Sequence, residues 1–191
     1  ESEQRTKANC SSGSISTNLL SQRSHLALGK VMEHLDVIIV GAGISGISAA
    51  VHLGKACPER SVGILERREN IGGTWDLFKY PGIRSDSDMH TLGFSFKPWR
   101  AEKSIADGPA IMQYLDETVD EYRLRESIRF SHKVVAAEWY SADARWVLTV
   151  DQGEVQKQMS SNFLFMCSGY YSYDQPYDAQ IPGIESFAGD V

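Results

Sequence analysis

A run biased to β-branched residues, Asp36-Val37-Ile38-Ile39-Val40, leads without a break into Gly41-Ala42-Gly43-Ile44-Ser45-Gly46, and a helical pattern then continues to Cys57. A strand, a glycine-rich turn and a helix in that order leave few folds open. Each glycine has a physical reason. Gly41 lets the chain turn sharply out of the strand, Gly43 lets backbone come into contact with a pyrophosphate, and Gly46 lets the helix press against the sheet. The start of the helix then offers free N–H groups and a partial positive charge to a diphosphate. The next apolar run, Val62-Gly63-Ile64-Leu65, ends at Glu66, about 20 residues after Gly46, the offset at which a carboxylate meets ribose hydroxyls. A carboxylate there repels a 2′-phosphate, so the turn is expected to hold FAD or NAD rather than NADP. A chance glycine-rich turn would explain the glycines alone; strand, helix and spaced acid together favour the dinucleotide.

The 191 residues suffice for one domain and a fraction of another. A net charge of −6 leaves no basic footprint for nucleic acid. The three cysteines, Cys10, Cys57 and Cys167, are odd in number and far apart, which argues for a reducing, cytoplasmic setting and against a disulfide framework. With no CxxC pair, HExxH or clustered His/Asp set, no protein-bound metal is expected. His25, His34, His52, His90 and His132 are scattered and read as surface or packing residues. Ser45 lies in the glycine turn and not in a GxSxG elbow, which leaves a hydrolase without support. No apolar stretch approaches the ~20 residues that span a bilayer, so no transmembrane segment is expected, and peripheral membrane contact stays open.

Residues 1–31 are rich in serine and poor in large apolar side chains, and they read as disordered or as a non-native extension. After Glu3 they carry Arg5, Lys7, Arg23 and Lys30 but no acid, a faint transit-peptide composition. Met32 stands about where a native chain of this kind would start. From there strand, helix and strand predict parallel pairing with a right-handed crossover, Pro58 ending the helix. A long irregular segment from Arg67 to about Arg100, with a short helix around Asp86 to Leu92, has the length of a functional loop. Asp107-Gly108-Pro109 opens a second helix with a buried stripe at Ile111, Leu115, Val119 and Tyr122. Lys133–Tyr140, Arg145–Val150 and Glu154–Met159 read as short antiparallel strands, a small meander attached to the main sheet. Phe163-Leu164-Phe165-Met166, ending at Cys167-Ser168-Gly169, reads as a separate strand buried on both faces of a parallel sheet.

Gly72-Gly73-Thr74-Trp75-Asp76, followed by Tyr80-Pro81-Gly82-Ile83-Arg84-Ser85-Asp86, closely resembles the flavoprotein monooxygenases of the Baeyer–Villiger type. The likeness includes Asp76-Leu77-Phe78, Ser85-Asp86-Ser87-Asp88-Met89 and Cys167-Ser168-Gly169-Tyr170-Tyr171, and it runs from about Met32 to Val191. It implies an α/β fold: a Rossmann-like FAD-binding domain with a parallel sheet and a small antiparallel β-meander, present in part. To the glycines Gly41, Gly43 and Gly46 it adds, as expected FAD contacts, Ser45, Glu66, Gly73, Thr74, Trp75, Asp76, Leu77 and Asp86, with Val134 touching the adenine side through its backbone. Arg84, Ser85 and Asp86 are further expected to face the nicotinamide cofactor. The implied reaction uses NADPH, dioxygen and bound FAD to oxygenate a small molecule, either a ketone, giving an ester or lactone, or the sulfur of a sulfide or thioamide. Asp86 is the catalytic candidate, because the matching aspartate of the family holds in place an arginine that stabilises the oxygenating species. Plainer roles stand beside these: Asp86 as a loop-ordering carboxylate paired to Arg84, and Trp75 as core.

The family signature FxGxxxHxxxW begins at Phe187 with Gly189 in place, and Val191 is reached before its histidine and tryptophan. The second glycine-rich turn that binds NADPH, the active-site arginine and later strands of the FAD domain are also outside this sequence. Residues 32–191 are therefore read as the N-terminal part of the FAD-binding domain of a longer enzyme, without oxygenase turnover by itself. Two other readings stay open: a catalytically silent FAD-binding module, and a related flavin monooxygenase that oxygenates nitrogen or soft sulfur without forming esters.

Overall fold

A computed structural model describes residues 32–189 apart from Tyr173, Pro176 and Asp178. The expectations for residues 1–31, Cys10 and His25 included, lie outside the described residues. Strand β1 (Glu33–Val40), helix α1 (Ile44–Ala56) and strand β2 (Val62–Leu65) form the expected opening unit. β1 and β2 are parallel, in register from Val37 opposite Val62 to Val40 opposite Leu65. The entry to both strands is tied by Asp36. Its carboxylate accepts the Ser61 hydroxyl at 2.7 Å and the Ser61 N–H at 2.9 Å, and the Arg60 guanidinium at 3.1 Å. Those donors, the hydroxyl foremost, hold its pKa at about 2.

The segment after β2 is less irregular than the sequence predicts. It contains single-turn helices α2 (Thr74–Leu77) and α3 (Met89–Leu92), the latter capped by Asp88, whose side chain accepts the Thr91 N–H. Only α3 was expected. Helix α4 (Gly108–Glu121) starts as expected, with Asp107 accepting the Ala110 N–H and Pro109 in the first turn. Its buried face holds Ile111, Leu115 and Val119, and also Tyr114 and Thr118, while Tyr122 is only half-buried. The two polar residues can be buried because each is satisfied: the Tyr114 hydroxyl accepts the Phe94 N–H and donates to the Lys97 carbonyl, and Thr118 donates to the Tyr114 carbonyl.

After α4 come β3 (Ile128–Arg129), β4 (Lys133–Tyr140), β5 (Arg145–Gln152) and β6 (Val155–Met166). The six strands make one mixed sheet in the order β3-β2-β1-β6-β5-β4, parallel from β3 to β6 and antiparallel from β6 to β4. This is the expected α/β, Rossmann-like arrangement, with the meander continuous with the main sheet. Two expectations need correction. The two strands predicted over 154–159 and 163–166 are a single strand, because Ser160 and Ser161 keep the ladder going: each is fully flanked, by His34 and Leu35 on β1 and by Val147 and Trp146 on β5. The apolar end of β6 is not buried on both faces either, since Phe163, Phe165 and Met166 are 55%, 42% and 58% exposed. Past Ser161 this strand pairs with β1 alone, and Phe165 lines an open cavity together with residues of α1.

Consecutive residues of β1 feed opposite faces, as a strand requires. Ile39 joins Ile47, Val51, Ile64, Ile111 and Leu115 in the layer between the sheet and helices α1 and α4, and Ile38 joins Leu65, Leu148, Val150 and Met159 on the other side. Cys57 and Cys167 are free thiols. No helix among the described residues is long and apolar enough to cross a membrane.

Candidate dinucleotide site at the ends of the parallel strands

The carboxyl ends of β1, β2 and β6 converge on a cavity of about 610 Å³. Gly41 makes that convergence possible. It leaves β1 at φ +107°, donates its N–H to the Leu65 carbonyl at 2.8 Å, and passes so close to β6 that a Cβ would stand 2.5 Å from the Cys167 carbonyl oxygen. Helix α1 then begins hard against this turn, since a Cβ on Gly46 would stand 1.9 Å from the Gly41 oxygen. Gly43 occupies the N-cap with no side-chain cap bond and no acid in the first turn, so the amides at the helix start have no side-chain acceptor, and Gly43, Ile44 and Ser45 line the cavity.

A second glycine-rich loop meets the first. The Gly72 N–H donates to the Ala42 carbonyl at 2.9 Å, and the Cα atoms of Gly43 and Gly73 are near neighbours. Gly73 adopts φ 54° and ψ −117° just before α2, a conformation closed to side-chain-bearing residues. Glu66, buried and yet on the cavity wall, holds both loops: Oε2 accepts the Ala42 N–H at 2.8 Å and Oε1 accepts the Arg68 N–H at 2.9 Å. Its own backbone reaches to Arg129 and His132, which brings Val134 to the same wall.

Of the residues singled out from the sequence, Gly41, Gly43, Ser45, Glu66, Gly73, Thr74, Trp75 and Val134 border this cavity. Gly46 lies behind it, packed on Gly41. Asp76, also buried, turns to the Arg68 guanidinium, and Leu77 follows it at the end of α2. Ser85 is buried with its hydroxyl accepting the Ala106 N–H at 3.1 Å. Arg84 and Asp86 are exposed, and no ion pair joins them among the described residues. Asp86 does not border the cavity; the Tyr171 phenol, which does, has its pKa raised first by the Tyr170 hydroxyl.

His132, expected only as a surface or packing residue, lines the cavity, and so does Cys167 at the small-residue end that follows β6. Burial pushes the Cys167 thiol up. His132 is fixed by two neighbours, the Phe130 carbonyl 2.6 Å from Nδ1 and the Lys157 ammonium 2.9 Å from Nε2. A carbonyl only accepts and an ammonium only donates, so in this arrangement Nδ1 donates and Nε2 accepts.

The family model for NAD(P)-binding Rossmann-like domains matches residues 39–118. The FAD-containing monooxygenase EthA of Mycolicibacterium smegmatis is 59% identical over 159 residues, which cover 83% of this chain and 32% of that protein. Over this span the chain is similar to the FAD-containing monooxygenases. It spans about a third of the length of the curated members of that family that it matches. Two solved structures extend the likeness to the backbone. One is OTEMO in complex with FAD and NADP, with a TM-score of 0.64 and 30% identity over 82% of this chain and 29% of that one. The other is ε-caprolactone-bound cyclohexanone monooxygenase, with a TM-score of 0.67 and 26% identity over 83% of this chain and 31% of that one.

Proposed function

We propose that residues 32–191 form the FAD-binding portion of an NADPH- and dioxygen-dependent monooxygenase. The observation that carries this reading is the contact between Gly43 and Gly73 at the wall of one cavity, with an uncapped helix start on one side and a buried carboxylate on the other. A dinucleotide needs these groups in this order. The amides of Gly43, Ile44 and Ser45 suit its diphosphate, Glu66 its ribose hydroxyls, Val134 its adenine, and Thr74 and Trp75 its flavin end. Bound FAD supplies the redox chemistry that links NADPH to dioxygen. This chain's part is to grip the cofactor, keep its flanks dry and present a polar rim. Asp86 is the catalytic candidate, supported by the resemblance of the Tyr80–Asp86 stretch to the Baeyer–Villiger type.

The substrate on this reading is a ketone, or the sulfur of a sulfide or thioamide. The ketone is favoured by the likeness to a cyclohexanone monooxygenase that carries a lactone. Purified protein should be yellow, with the visible absorption bands of flavin. Gly43→Ala and Glu66→Ala should each lose the cofactor, with circular dichroism as the check on folding. Retention of flavin by both variants would overturn the assignment.

A further inference from the structure

We infer that Arg68 is a positioning residue of this site, a clamp that fixes the loop of residues 72–77 against the first glycine turn. The inference rests on the reading of the cavity as an FAD site. Arg68 does not border the cavity; it stands behind it and bonds in three directions. Its backbone N–H holds Glu66 Oε1 at 2.9 Å, one guanidinium nitrogen donates to the Gly73 carbonyl at 3.1 Å, and another is ion-paired to Asp76.

The clamp matters because of what it holds. Gly73 sits in a mirror-β conformation that glycine enters freely but as one of many, so its peptide is oriented by its hydrogen bonds and not by a backbone preference. The enforcing bonds are the Gly72 N–H to Ala42 and the Arg68 guanidinium to Gly73. Asp76 is 8% exposed, and a carboxylate so buried needs a paired cation. The next cation, Lys79, is 4.0 Å away with a side chain 76% exposed, a poor substitute. Without the guanidinium, the Gly73 peptide and Asp76 both lose their partner, and the loop that carries Thr74 and Trp75 is left tied to the first turn through the Gly72 N–H to the Ala42 carbonyl.

The two halves of the cavity depend on Arg68 differently. Glu66 is held by the Arg68 backbone N–H, which any residue but proline supplies in its place, whereas Arg68 reaches the 72–77 loop only through its side chain. Replacing the side chain should therefore weaken a ligand that reaches the second loop and spare one that stops at the ribose and diphosphate. ADP is such a ligand, and FAD extends beyond it.

The test is calorimetric titration of the full chain with FAD and with ADP, for the wild type, Arg68→Met, Arg68→Lys and Asp76→Asn. Arg68→Met should raise the Kd for FAD at least about tenfold and leave that for ADP within about twofold. Arg68→Lys, which keeps the charge but reaches one partner, should fall between. Asp76→Asn should repeat the pattern more mildly and serves if Arg68→Met does not fold. At saturating FAD the visible circular dichroism of the flavin should also change in the variants, which a general loss of stability would not cause. Equal weakening of both ligands, or of neither, would overturn the clamp. A wild type that binds ADP but not FAD would instead overturn the FAD reading itself, and the clamp with it.

Discussion

Glu66 shows how one side chain can serve folding and binding together. Both carboxylate oxygens are committed to backbone N–H groups, of Ala42 and Arg68, inside a residue that is 6% exposed. Hydrogen bonds to a buried charge are worth ~1.5–3 kcal/mol each. Glu66→Ala should therefore lower the unfolding free energy by about 2–4 kcal/mol in urea titrations without any ligand. Gly43→Ala should not: φ is −80°, and the added methyl would lie 3.7 Å from the Gly73 Cα, an ordinary contact. Its apo stability should stay within about 0.5 kcal/mol of wild type, while FAD binding falls because the methyl stands at the cavity wall. The glycines and Glu66 were legible from sequence since turn, helix start and spaced acid each leave a local mark. Arg68 was not, because nothing in Arg67-Arg68 says which guanidinium folds back to an aspartate eight positions on.

The elements were legible where their period was long enough to read. α4 is an example, with Ile111 and Leu115 fully buried as its pattern predicts. Leu115→Ala should cost ~2–5 kcal/mol by chemical denaturation, from lost burial and the cavity left behind. Two-residue β3 and four-residue α2 are too short to show a period, and the polar Ser160-Ser161-Asn162 reads as a break although it is the place where β6 takes β1 as its neighbour. The link between β1 and β2 has its own pH signature. Asp36 is held at about 2, below the ordinary 3.8 of a carboxyl, so its contribution is complete above the ordinary value and is lost as pH falls toward the folded one. The gap in urea midpoint between wild type and Asp36→Asn should be full at pH ~6 and close as pH drops from ~4 to ~2.

At the scale of the whole molecule, the edge of β6 is unpaired past Ser161 among the described residues and carries exposed Phe163 and Phe165 on one face and Met166 on the other. Apolar surface next to free backbone groups promotes association between copies. Sedimentation velocity of this chain should show self-association that rises with concentration, and Phe163→Lys should reduce it. The strand pairing at the centre of the sheet carries a different consequence. β1 lies between β2 and β6, and the bond from His34 to Ser160 closes a span of 126 positions. During synthesis β1 must wait until β6 has been made before the middle of the sheet can zip together. Its isoleucines stay open to chaperones throughout that interval, and refolding should be slow for a domain of this size.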